Sequence, residues 1–167
     1  ALVLSGLGLL NTRRTARVKT VDVPIPNLPP ALHRFTIAQI TDLHVGPTIR
    51  AGYIQRIVER VNRLQPDAVA IPGDIVDGPV SELGPHVAPL GGLRSRHGSF
   101  FVTGNHEYYA GAGPWLAEVR RLGIRVLLNE HVVIERAGAQ LVLAGVPDYT
   151  AHAFDPTHRS DPAAALR

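Results

Sequence analysis

The chain reads as an α/β domain built on a largely parallel sheet. Short apolar, β-prone runs at residues 35–41, 67–72 and 99–103 alternate with longer stretches of helical spacing. Each run stops abruptly at a small polar cluster: Asp42-Leu43-His44, Gly73-Asp74 and Gly104-Asn105-His106-Glu107. Strand, helix, strand, helix, strand implies parallel pairing with both sheet faces covered, and functional groups gather beyond the carboxyl ends of such strands.

Taken in order, residues 1–10 are apolar but too short to cross a bilayer, and Arg13, Arg14, Arg17 and Lys19 follow. A basic cluster beside an apolar end suggests a membrane flank, so residues 1–19 are expected to close a transmembrane or membrane-proximal segment. Residues 20–34 carry four prolines (Pro24, Pro26, Pro29 and Pro30), too many for a central strand. Val21, Val23 and Ile25 therefore predict a linker with an edge strand.

Residues 35–167 form the domain proper. FTIAQIT predicts the first buried strand. Ile54, Ile57, Val58, Val61 and Leu64 recur at helical spacing over 51–65, and Pro66 ends that helix. DAVAIP predicts the second strand, and residues 81–96 a helix interrupted by Pro85 and Pro89. Ser99 to Thr103 is the third strand. Pro114 at a helix start and Gly123 at its end bracket PWLAEVRRL. IRVLL is a fourth strand, and HVVIE and QLVLAGV flank Ala137-Gly138 as a hairpin.

Composition narrows the chemistry. Hydrophobic residues make up 45% and charged residues 19%, a globular profile. The net charge of +3 resides mainly in the N-terminal flank, and the loops after the three clusters are hardly basic, which disfavours nucleic acid as a partner. Without cysteine, any metal must be held by His, Asp, Glu or Asn, a donor set suited to manganese, iron, zinc or magnesium. The chain opens on Ala1 and holds no methionine, so it is expected to be a piece or a processed product.

Each cluster alone is weak evidence, since Asp-X-His is commonly a surface coincidence and Gly-Asp a turn. Three in order, each after a buried strand, are strong, because neighbouring parallel strands lie about 4.8 Å apart and bring their ends into one pocket. Asp42 and His44, two residues apart in extended chain, would project to the same side. Gly73 and Gly104 would let the backbone turn where ligands point inward.

The stretches ITDLHVG, PGDIVDG and VTGNHEYY resemble the first three signature blocks of the calcineurin-like metallophosphoesterases. NEHVVIE and LAGVPDY are similar to segments of that superfamily's bacterial, membrane-associated phosphodiesterase branch, so the resemblance covers about residues 35–150. It implies a four-layer α/β sandwich and two divalent or trivalent ions (manganese, iron or zinc) activating a bridging water to hydrolyse a phosphodiester or phosphomonoester. By motif match Asp42 and His44 hold the first ion, Asn105 the second, and Asp74 bridges both. His106 stands near the leaving group, while Asp77 and Glu107 support the site. The family's later histidine and Gly-His-X-His element have no match here: His131, His152 and His158 lack the context, and His33, His86 and His97 read as surface histidines. The fold is therefore expected to be incomplete at the C-terminal side, the remaining histidine ligands to lie beyond Arg167, and the 167-residue piece to bind metal weakly and turn over little.

Membrane association and a lipid- or envelope-linked phosphoester follow from the N-terminal segment. The competing readings are a nuclease of the same superfamily and a non-catalytic interaction domain that kept the fold. Tyr108, Tyr109 and Trp115 lie just past the third block, either as a wall for a leaving group or as core and rim packing.

Overall fold

Side chains that alternate between the two faces of short strands build two clusters on opposite sides of one sheet. The structure, a computed structural model, describes residues 16–167; most of the membrane-flank segment expected over 1–19 lies outside them. Strands β1 (Ile37–Gln39), β2 (Ala68–Ile71), β3 (Ser99–Phe101) and β4 (Arg125–Val126) pair in parallel in the order β1-β2-β3-β4. Val69, Ile71 and Phe101 point to one face, where they pack with Ile54, Val58 and Val61 of helix α1 (Ala51–Leu64). Ala68 and Phe100 point to the other, where Val132 and Ile134 of strand β5 (Glu130–Arg136) cover them. The α/β expectation holds, with helices on one face and a hairpin on the other.

Local chemistry sets the ends of the elements. Helix α1 stops at Gln65, whose left-handed backbone (φ 49°) precedes Pro66. Leu64, counted on the apolar face from its spacing, lies 49% exposed in the last turn. The stretch 81–96 resolves into helix α2 (Val80–Val87) and a 3-10 turn over Ala88–Gly92, so Pro85 is accommodated and Pro89 marks the change. One short helix escaped the sequence reading: α3 (Asn105–Tyr109) begins directly at the third cluster. Helix α4 (Ala112–Arg121) starts two residues before Pro114 and closes at Gly123, whose φ is +80°. Strands β5 and β6 (Ala139–Gly145) pair antiparallel across Ala137 and Gly138, both at positive φ as a tight two-residue turn needs. A final helix, α5 (Pro162–Ala165), packs on this hairpin.

Residues 21–25 run without a ladder partner, so the expected edge strand does not form there; Val21 and Val23 are exposed. No helix among the described residues is long and apolar enough to cross a membrane. His97 is not a surface histidine. It stacks on Phe35 at 5.7 Å, and its Nε2 is buried.

Asp67 ties three elements together at the start of β2. Its Oδ2 accepts from the Thr36 backbone N–H (2.9 Å) and hydroxyl (3.2 Å), and lies 3.4 Å from Arg136 of β5. Burial alone would raise this carboxyl, but the Thr36 hydrogen bonds and the Arg136 and Arg96 charges outweigh it and hold it below its ordinary value. A depressed acid favours folding above its unfolded value near 4, and that contribution is lost as pH falls through the folded value. Asp67→Ala is expected to cost about 1–3 kcal/mol at neutral pH and to flatten the acid limb of the stability profile, measured by urea unfolding across pH. An unchanged acid limb would refute the assignment.

Candidate metal centre

The three clusters meet because two loops run side by side beyond the sheet. After β1 and β2 the backbones stay paired: His44 N–H donates to Asp74 O at 3.1 Å, Val45 N–H to Ile75 O at 2.8 Å and Asp77 N–H to Val45 O at 3.0 Å. This pairing places Asp77 opposite His44. Ligand atoms of Asp42, His44 and Asp74 lie within 4.8 Å of one another, as do those of His44, Asp77 and His106.

Convergence does not arise from extended chain, as the two-residue spacing suggested. Asp42 (φ 54°), His44 (46°) and Asp74 (53°) all occupy the left-handed region, which L-residues with side chains adopt at a cost of order 1–3 kcal/mol. Strained backbone at three candidate ligands is a mark of a functional site, where the surrounding fold over-determines the geometry. Gly73 turns as expected, at φ +83°. Gly104 is required for a different reason: its backbone is extended, but a Cβ there would run into the Asp74 carboxylate.

Asp77 organises the two histidines. Its Oδ1 lies 2.7 Å from Nδ1 of His44 and 2.8 Å from Nδ1 of His106, whose rings meet edge-on at 4.5 Å. Burial pushes the Asp77 carboxyl up, yet the hydrogen bonds from both histidines win and leave it below the ordinary range. The Asp77 hydrogen bond raises His44 above its ordinary value. With Nδ1 engaged on both rings, Nε2 is the atom each offers to a ligand. Trp115 is fully buried and donates from Nε1 to Gly78 O at 2.9 Å, bracing the loop that carries Asp77. Its place is in the core, not in a wall.

Glu107 has a role that its sequence position only hinted at. It is fully buried, and its carboxylate accepts the N–H groups of Asp74 (2.9 Å), Ile75 (2.8 Å) and Gly104 (2.7 Å). The Glu107 side chain therefore clamps the second and third strand ends together. Burial raises this carboxyl against the pull of those three hydrogen bonds. A glutamate three residues after a helix cap was the signal that could have found it.

Around the third strand end, the His106 N–H donates to Asp74 Oδ1 at 3.0 Å, and Asn105 Nδ2 donates to the Tyr109 hydroxyl at 3.0 Å. Among the described residues, His44 and His106 are the histidines in these groups. His131 instead contacts Ala165 O, His152 Tyr149 O and His158 the Tyr108 hydroxyl. Carboxylate and imidazole donors without thiolate, converging beside a backbone that holds them under strain, fit a hard or borderline cation.

A family model described as calcineurin-like phosphoesterase matches residues 35–155. The chain is 42% identical over 92% of its length to a bovine (Bos taurus) "Transmembrane protein with metallophosphoesterase domain", covering 38% of that protein. A zebrafish (Danio rerio) protein of the same name is 38% identical over 98% of the chain, which covers 39% of it. An "Uncharacterized metallophosphoesterase" of Helicobacter pylori is 38% identical over 81% of the chain and is covered to 35%. The chain thus spans less than two-fifths of the length of these relatives. No solved structure matches it.

Proposed function

The chain belongs to the calcineurin-like phosphoesterase family, and from that premise we propose that it supplies part of a two-metal centre that hydrolyses a phosphoester bond. The observation that carries this reading is the meeting of Asp42, His44 and Asp74 in one group that shares His44 with Asp77 and His106. Asp42 and His44 would hold the first ion, Asn105 would hold the second, and Asp74 would be the carboxylate shared by both. When bound, the ions neutralise charge on the phosphoryl oxygens and make a water acidic enough to attack phosphorus near neutrality.

The chain's own residues supply the rest. Tyr109 accepts from Asn105 Nδ2, which orients the amide so that Oδ1 is the ligating atom. An amide ligates without adding negative charge, which suits an anionic substrate. Asp77 fixes the tautomer of His44 with Nε2 bare for metal. The same carboxylate lies 2.8 Å from Nδ1 of His106 and orients that ring, leaving Nε2 to serve the departing alkoxide as a general acid. Two relatives named as transmembrane proteins, together with the apolar residues 1–10 and the Arg13-Arg14 pair, support membrane association of the protein. That location favours a lipid- or envelope-linked phosphoester.

The test uses the full-length protein loaded with manganese or zinc. Hydrolysis of bis(4-nitrophenyl) phosphate is expected, lost with chelator and restored by added metal. His106→Ala is expected to keep its metal content and to lower kcat by about 10²–10⁴-fold on an alkyl ester. The loss is smaller on the nitrophenyl ester, whose leaving group needs no proton. No metal uptake, or no hydrolysis of any ester by the loaded protein, would overturn this reading in favour of a non-catalytic interaction domain.

A further inference from the structure

The aromatic residues after the third cluster part company in the structure. Tyr108 is buried, with its hydroxyl 3.2 Å from the Thr103 hydroxyl and 2.9 Å from His158 Nδ1. Tyr109, the next residue, is 63% exposed and faces the candidate metal centre, its ring 5.4 Å from that of His106. Phe154, from a segment far along the chain, packs on it edge-on at 5.5 Å and is itself 53% exposed. Helix α3 thus buries one aromatic ring, yet presents the adjacent one to solvent beside a second exposed ring.

The pair is fixed in place. The Tyr109 hydroxyl is tied to Asn105 at 3.0 Å, one helical turn back, and its ring lies between His106 and Phe154. Tyr108 backs Phe154 from below at 5.9 Å. Two aromatic faces left in water at the rim of a polar site present apolar area that a flat ring can cover, and aromatic pairing adds to the gain from area alone.

We propose that Tyr109 and Phe154 form a shelf for the leaving group, so that the centre prefers phosphoesters whose departing alcohol carries an aromatic ring. The proposal rests on the phosphoesterase reading and adds its substrate class. Position decides which half of the substrate the shelf receives. His106 is the group assigned to the leaving oxygen, and Tyr109 is the ring beside it, so the moiety bonded to that oxygen is the one brought against Tyr109 and Phe154.

Binding, not turnover, separates this proposal from the reading beneath it. The metal-loaded full-length protein is titrated with phenylphosphonate and with methylphosphonate, which share the phosphoryl group and differ only in the ring. The wild type is expected to bind phenylphosphonate about tenfold more tightly, in keeping with the worth of one aromatic contact. Phe154→Ala is expected to bring the ratio to about threefold or less, with methylphosphonate affinity unchanged. Tyr109→Phe keeps the ring, loses the hydroxyl and is expected to retain the preference, which a role confined to the Asn105 hydrogen bond would not allow. Equal affinities in the wild type, or a preference untouched by Phe154→Ala, overturn the shelf alone. If neither phosphonate binds, the phosphoesterase reading falls and the shelf with it.

Discussion

Glu107→Ala is expected to cost about 4 kcal/mol or more and to leave little folded protein at 37 °C. The carboxylate is fully buried and accepts three backbone N–H groups, those of Asp74, Ile75 and Gly104. A buried donor stripped of its acceptor costs about 1–3 kcal/mol, and water entering the space recovers part of that. Glutamine is expected to rescue poorly. Oε2 serves both Asp74 and Gly104 while Oε1 serves Ile75, so whichever way the amide lies, its NH₂ faces at least one backbone N–H. Urea unfolding of Glu107→Gln and Glu107→Ala checks both statements, and a loss below about 1 kcal/mol for either would show that the clamp is dispensable. Because the clamped N–H groups belong to the loops carrying Asp74 and Asn105, whatever protein still folds should take up metal less tightly.

What the sequence made legible, and what it did not, follows from the range of the interactions. Helix α1 and the β5-β6 hairpin were readable because their signals are local: apolar residues at helical spacing and an Ala137-Gly138 turn. Asp42, His44 and Asp74 were legible as candidates because each follows a strand of the sheet and parallel pairing brings consecutive strand ends together. Strand β1, expected to be buried, is nevertheless largely exposed, with Ile37 at 47%. The way they converge was not. Left-handed backbone at three non-glycine residues is dictated by the pairing of two loops over a sheet, which no local propensity reports. Gly104 shows the same limit: its missing side chain makes room for Asp74, thirty residues away in sequence, rather than for a turn. Short helix α3 was overridden in the reading by the β-prone run before it, although Glu107 was the available cue. Phe154 could not have been assigned to the site at all, since only the tertiary fold sets it against Tyr109.

Asp42→Gly is expected to separate stability from function. Asp42 holds a left-handed backbone at φ 54°, and its side chain is largely exposed, with the neighbouring Thr41 hydroxyl as its hydrogen-bond donor at 2.7 Å. Glycine adopts that backbone without a Cβ penalty, against which stands the larger entropy it loses on folding, about 0.5–1 kcal/mol. The metal-free protein should therefore be as stable as the wild type or more stable by up to about 2 kcal/mol. The same change removes a carboxylate from the group that Asp42 forms with His44 and Asp74. Metal affinity should fall, and with it at least about 10²-fold in activity, the scale at which lost transition-state charge stabilisation is felt. Thermal unfolding without metal, set beside metal titration of the same protein, reads the two effects independently. A variant that lost stability and metal together would mean that Asp42 serves the fold. One that kept its metal would remove Asp42 from the centre. Strain retained at a residue whose side chain gives the fold so little is explicable if selection acted on what that carboxylate holds, since a glycine there would relieve the backbone at the expense of the ligand.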